Sequence, residues 1–347
     1  IGNVMRNYVS SNLTYLPFTA GIRVDKFLSH TTFVECKFGY EYGTNVAQFL
    51  NQQSRTNYFS NTYNKRRTTN ILTNPILSFK KDNFATNRPT KSDVYLTTTS
   101  NAPLLIPFFN NVVYPSSPQN LVFRVNRYSK DGTYTLSSAI TSTGSATDYT
   151  MIQFDLSPFK LNAALGTTFI DENTLYYNVF ASIEISAGVF VTAQSPNFYQ
   201  YCESKYEVFT LVFMNQYGGY DSYQFSKKSK RTYNSEKKSF DRIPYSINSS
   251  TGAMTYFSQG IMNESTIVYD SKFKESMTFN TDIIDELTYE WLAELILSPS
   301  VFVVIDSAFI PVVVKETNYE FKKRVNDKVF NLSINVELNQ QMNTQYR

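Results

Sequence analysis

The sequence predicts a mainly β protein: two or more β-sandwich-like domains, with one C-terminal-region α-helix packed on a sheet. Three observations carry this expectation. Of 347 residues, 16% are aromatic, with 28 Phe and 26 Tyr, and such side chains suit pleated, half-buried surfaces. Short apolar runs recur at roughly ten-residue spacing between turn signals, the pattern of stacked sheets. Only one long segment, Thr281–Leu297, has a helical period.

Residues 1–115 read as an irregular β region. Short apolar runs (Thr14–Phe18, Thr32–Phe38, Ile71–Phe79, Pro103–Phe109) alternate with polar stretches. Asn51–Asn70 has almost no aliphatic content and reads as a long polar loop or arm, about 51–70, ordered by a neighbour.

Residues 116–200 read as a β-sandwich. Asn120–Asn126 and Thr133–Ile140 are strand candidates around an Asp131-Gly132 turn, and Thr150–Leu156 is a third. Thr174–Ile185 and Gly188–Ala193 make a hairpin.

Residues 201–347 read as a β domain with a glycine-turn hairpin and a helix over 281–297. In Cys202–Phe225, one face of the first strand carries Tyr206, Val208, Val212 and Met214. The other carries Phe209, Leu211 and Phe213. A strand apolar on both faces belongs inside a packed structure. Asn215 through Asp221, with Gly218 and Gly219, lets the chain reverse. Asp221 is expected to bond the turn backbone.

The helix places Ile284, Leu287, Trp291 and Leu295 on one stripe. Thr281 or Asp282 can cap it, and Ser298-Pro299 stops it. The single Trp reads as a core anchor. Val329–Leu338 alternates strictly, one face apolar and one polar. Asn339–Arg347 reads as a frayed or partner-bound tail.

The segment Lys227–Arg242 concentrates charge. Lys227, Lys228, Lys230, Arg231, Lys237, Lys238 and Arg242 face only Glu236 and Asp241. It reads first as a solvated edge ribbon that charge protects from stray pairing. The sharper reading is a subunit contact, through those lysines and Arg231, to an acidic neighbour. A net charge of +3 is too small to argue for nucleic acid.

No recognisable catalytic constellation stands out. His30 is the one histidine, and no G-x-S-x-G elbow accompanies it. Cys36 and Cys202 read as free buried thiols, so with His30 they fall short of a structural zinc site. No EF-hand spacing and no phosphate-binding glycine loop occurs. Asp221, Asp282, Asp285 and Glu290, the carboxylates that could serve a glycosidase, read instead as turn and helix-start residues. No catalytic residue, cofactor or metal ligand is assigned, and the chain is read as not an enzyme. No apolar run reaches the roughly 18 residues of a membrane helix, and no signal-peptide pattern is visible at the start.

One spaced motif supports a family resemblance: C-x3-Y-x2-F-x-L-x-F-x-N-x2-G-G-x-D-x3-F. It spans Cys202, Tyr206, Phe209, Leu211, Phe213, Asn215, Gly218, Gly219, Asp221 and Phe225. It resembles a signature in structural proteins of tailed bacteriophages that infect Bacteroidota, including crAss-like phages. Three further segments are similar in the same order. They are Phe154–Ser157, the helix end from Trp291 to Pro299, and Ile310–Val312 through Tyr319 and Lys322. The resemblance covers roughly residues 116–347. It implies a virion structural protein of the tail, collar or neck, assembled in the host cytoplasm. The expected partners are other virion proteins and copies of the chain in a homo-oligomeric ring or sleeve, without a membrane. The alternative is a host-surface adhesin or carbohydrate-binding module, whose partner would be a host glycan.

Overall fold

A computed structural model describes residues 23–27, 31–41, 49–60, 84–95, 102–110, 122–141, 150–186, 189–201, 204–258, 261–306, 308–315, 330–338 and 342–344. It is mainly β, with strands in several sheets and two helices among the described residues.

Two sheets stack around the first core. The smaller has the order β1-β9-β5, from Arg23–Phe27, Thr150–Asp155 and Leu105–Asn110. The larger runs β4-β12-β10-β6-β7, from Lys91–Tyr95, Asn197–Tyr201, Thr174–Ser186, Val122–Ser129 and Tyr134–Leu136. β8 (Ile140–Thr141) pairs with β6, and β11 (Val189–Gln194) with β10. Ile106, Phe108, Ile152 and Phe154 from the small sheet meet Phe123, Val125, Tyr177, Val179 and Phe198 from the large one. Burying side chains of this size stabilises by roughly 1.5–3 kcal/mol each before entropy is counted. Strands β1, β4 and β5 come from before residue 115, yet they pair with strands beyond it.

The expected hairpin over 174–193 is present as β10 and β11. A short helix was not expected: α1, Pro158–Leu165, closes one end of the sandwich. Pro158 stands at its first turn and Gly166 ends it in the left-handed region, φ 68°. Both are common helix punctuation.

An eight-stranded antiparallel sheet forms the second unit. Its order is β14-β13-β21-β22-β23-β20-β15, with β24 also on β20. The strands are Tyr220–Phe225, Phe209–Met214, Val301–Ile305, Ala308–Val314, Ser333–Leu338, Thr266–Asn280, Lys230–Asp241 and, for β24, Met342–Thr344. Helix α2, Glu286–Leu297, packs on one face. The predicted sides of β13 hold. Phe209, Leu211 and Phe213 face the helix core, while Val212 and Met214 face a smaller cluster with Ala85 and Leu105 of the sandwich. Trp291 is buried between Phe213 and Tyr223, as a core anchor should be.

Several expectations are corrected. The β13 strand begins at Phe209, so Tyr206 and Val208 precede it, and Tyr206 is exposed. The helix begins at Glu286, with Asp285 as its cap accepting from Thr288 N at 2.9 Å. Ile284 lies before it in a bridge to Phe330, and Leu287 is exposed rather than part of the buried stripe. Asn51–Ser60 is not loop. It belongs to β3, Phe49–Ser60, which pairs with β2, Thr31–Glu41. Residues 61–70, His30, Cys202 and most of the 339–347 tail lie outside the described residues; of Cys36, only its place in β2 is described.

Candidate functional site

Strand β14 ends the sheet, and an end strand exposes unpaired backbone groups. Here they are covered. Tyr220 turns its N–H and C=O away from β13, and the Gln153 side chain takes both. Gln153 Nε2 donates to the Tyr220 carbonyl at 2.8 Å, and Tyr220 N donates to Gln153 Oε1 at 3.0 Å. One side-chain amide thus imitates a neighbouring strand. Two residues on, the Arg88 guanidinium donates to the Ser222 carbonyl, and Ser222 Oγ accepts from Leu105 N at 2.9 Å. Gln153 sits on β9, so the two units are stitched together along this edge.

The stretch between Phe84 and Thr90 wraps around the edge to the helix side. It starts with Ala85 N donating to the Pro107 carbonyl. Arg88 Nη1 then donates to Ser92 Oγ at 3.2 Å, and its guanidinium carbon lies 4.6 Å from the Trp291 ring centroid. An arginine over an indole face is an attractive contact, stronger when water is excluded. Asp221 points into the same place. Its Oδ2 accepts from Thr86 Oγ1 at 2.7 Å and from Trp291 Nε1 at 3.1 Å. Asp221 therefore does not bond the turn backbone as expected. It lies inside β14, fully buried, and ties strand, wrapping segment and helix together.

Asn215 takes the turn role instead. Its Oδ1 accepts from Tyr217 N at 3.0 Å, while its Nδ2 donates to the Ala85 carbonyl at 2.8 Å. Gly218 completes the reversal at φ 87°, a region where side chains strain the backbone. Glu294, buried on α2, closes the system. It accepts from Asn87 Nδ2 at 2.6 Å and from Gln216 N at 3.2 Å. Tyr217 Oη donates to Asn87 Oδ1 at 2.8 Å.

The electrostatics follow from burial. Desolvation lowers the Arg88 guanidinium from its ordinary value to about 10, against the opposing pull of Asp221. Desolvation also raises the Asp221 carboxyl, while Arg88 and the hydrogen bonds from Thr86, Trp291 and Asn215 pull it back. A raised carboxyl can mark a general acid. Here the group has no exposure to solvent and its Oδ2 is spent on structural donors. A proton donor must reach its substrate, so the arrangement is a clasp rather than a catalytic centre.

The other candidate residues are dispersed. Phe213 and Phe225 are core residues, and Pro299 follows the helix end on the surface. Asp282 accepts from Ile283 N at 2.7 Å and pairs with Lys227 at 2.8 Å. Lys228, Lys230, Lys237 and Lys238 are exposed, as is Arg231, which reaches Glu275 at 2.7 Å. They lie on or beside β15, the opposite end of the sheet from the clasp. Among the described residues no group of three or more His, Cys, Asp or Glu is placed to hold a metal ion.

Sequence reasoning missed Arg88, Thr86, Asn87 and Gln153. A lone Arg in a polar run and a lone Gln in a strand carry no period or spacing that marks them. The chain was compared with family models and with curated proteins, and no family model and no curated protein matches it.

Proposed function

We propose that the chain is a non-enzymatic structural subunit of a virion, present in multiple copies in the tail, collar or neck of a tailed phage. The observation that carries the structural part is the contrast between a sealed interior and an uncovered ribbon. The charged and polar groups of the clasp are turned inward. Among the described residues, the ribbon formed by β15 and β20 keeps one edge, with Tyr233, Phe240 and Tyr269, in water, and the hairpins beyond it expose more apolar side chains. Uncovered edges and apolar patches are docking surfaces. The phage part rests on the spaced motif from Cys202 to Phe225 and on the three segments that follow the same order.

The experiment is a stoichiometry. Particles purified from a phage that encodes the chain are digested and quantified by mass spectrometry against the major capsid protein. A fixed ratio of several copies per particle supports the proposal. Absence from purified particles contradicts it.

The adhesin reading has one structural foothold. Tyr134, Tyr128, Tyr176 and Tyr199 form a row across β7, β6, β10 and β12, with neighbouring ring centroids 4.4–5.1 Å apart. Sugars stack on ring faces, but here Tyr128 and Tyr176 stack on each other at 16°. That geometry serves cross-strand packing. Retention of the chain on host surface glycans, lost in Tyr134→Ala, would favour this second reading.

A further inference from the structure

We propose that the far end of the ribbon, residues 243–263, is a self-association element that pairs with the same element of a second copy of this chain. The inference rests on the reading of the chain as a multi-copy subunit and gives it a specific contact. Outward of Ser271 the sheet narrows, among the described residues, to β15 and β20, since β24 pairs β20 from Ser271 to Phe273. The ribbon then opens into two small hairpins. One joins β16 (Ser246–Ile247) to β17 (Met254–Thr255); the other joins β18 (Phe257–Ser258) to β19 (Ile261–Met262).

This end is apolar and uncharged. Residues 243–263 contain no Asp, Glu, Lys or Arg. Ile243, Ile247, Met254, Phe257, Ile261 and Met262 are each 55–74% exposed. These side chains lie on both faces of the hairpins, since strand neighbours such as Ile261 and Met262 point opposite ways, and a standard interface takes about 800 Å² from each partner. Other exposed large apolar residues of the described chain lie along the ribbon itself, at Tyr233, Phe240 and Tyr269, or elsewhere, as with Phe159, Leu175, Leu297 and Val313. Among the described residues, seven of the nineteen exposed large apolar residues fall in this one stretch, and the occupant proposed for it is the same stretch of a second copy. A two-fold contact of this kind needs a self-complementary patch, and an uncharged one meets its copy without like-charge repulsion.

The bordering stem supports the same occupant. It carries both signs, with Lys238 beside Asp270 at 3.7 Å and Arg242 Nε donating to the Glu264 carbonyl at 3.1 Å. The cations nearer the base, Lys227 to Arg231, oppose full edge-to-edge pairing of two ribbons and confine the contact to the ends. Nucleic acid is a poor occupant, because the tip offers no cation to a phosphate.

The test uses the full chain and sedimentation velocity over a concentration series. Ile247→Lys with Ile261→Lys gives a cationic tip, and Ile247→Glu with Ile261→Glu an anionic one. Trp291 emission and far-ultraviolet circular dichroism check that each stays folded. The wild type should dimerise or assemble further, and each charged variant should weaken association at least 100-fold. An equimolar mixture of the two should restore it. Ile247→Ser with Ile261→Ser should weaken it about tenfold. Charged variants that assemble like wild type overturn the tip contact and leave the multi-copy reading standing. A mixture that stays monomeric overturns tip-to-tip pairing. A wild-type chain that remains monomeric at 100 µM and instead binds neutral phosphatidylcholine vesicles makes lipid the occupant and overturns the proposal. Particle stoichiometry is measured independently, so the two readings fail separately.

Discussion

The two ends of the eight-stranded sheet solve the same physical problem in opposite ways. Strand β14, YDSYQF, is buried at all but one position. Strand β15, KRTYNSEKKSFD, is exposed at all but one. Among the described residues, both leave backbone groups without a strand partner on one side. At β14 the chain supplies Gln153, Arg88 and the wrapping segment 84–90 to meet them. At β15 it supplies lysines, which keep the edge wet and discourage indiscriminate pairing. The difference separates an edge closed within the chain from an edge left open to solvent among the described residues.

The comparison breaks most severely at Arg88. Arg88→Ala should destabilise the fold by about 3–5 kcal/mol, because it leaves a buried carboxylate without its opposing charge. Urea unfolding followed by Trp291 emission measures this. Pairing Arg88→Met with Asp221→Leu should cost clearly less than the two single changes added, since it removes both charges from the interior. Additive costs would mean that the two groups act independently.

Gln153→Ala should come next, at about 2–3 kcal/mol, since both backbone groups of Tyr220 lose their buried partner. Gly218→Ala should follow at roughly 1–2 kcal/mol, for the left-handed turn position. Far smaller is Lys237→Val with Lys238→Val on the open edge. Stability should stay within about 0.5 kcal/mol, while turbidity on concentration should rise. A stability loss as large as that of Gln153→Ala would erase the contrast between the two ends.

The pH dependence sharpens it further. Hydrogen bonding from Lys315, with Lys274 nearby, holds the Glu337 carboxyl below the ordinary glutamate range. Its folded value is depressed, so its stabilisation is present above the unfolded glutamate value and is lost as pH falls. Asp221 has the opposite sign: burial raises it, so the folded chain takes up that proton earlier than the unfolded one. Glu337→Gln should therefore shallow the acid limb of a stability–pH curve by less than about 1 kcal/mol, as expected for a partly exposed pair. Asp221→Asn should steepen the same limb, because it removes the group whose protonation favours the folded state.

Much of the frame was legible in the sequence because its signals are local. The two faces of Phe209–Met214, the alternation through Ser333–Leu338 and the anchoring of Trp291 all follow from periods of two or near four. The clasp was not legible. It joins Thr86 to Asp221 across 135 positions and Gln153 to Tyr220 across 67, and no periodicity links such pairs. Asp221 was assigned to its own turn because glycines precede it, whereas Asn215 takes that duty and frees the carboxylate. The period points to an earlier helix start than Glu286 because Ile284 and Leu287 fit it. Ile284 is held instead by backbone bonds with Phe330, and Leu287 faces water. The basic run is legible as an exposed edge from its charges, but the uncharged stretch beyond it is not, since exposure of Ile247 or Ile261 depends on what fails to pack against them.

Amide hydrogen exchange on the intact chain, at low and at high protein concentration, tests the contrast most directly. The account predicts slow exchange through 220–225 at both concentrations, set by the global stability, and protection over 243–263 that appears only at high concentration. Fast exchange at 220–225, or a tip whose exchange ignores concentration, would contradict it.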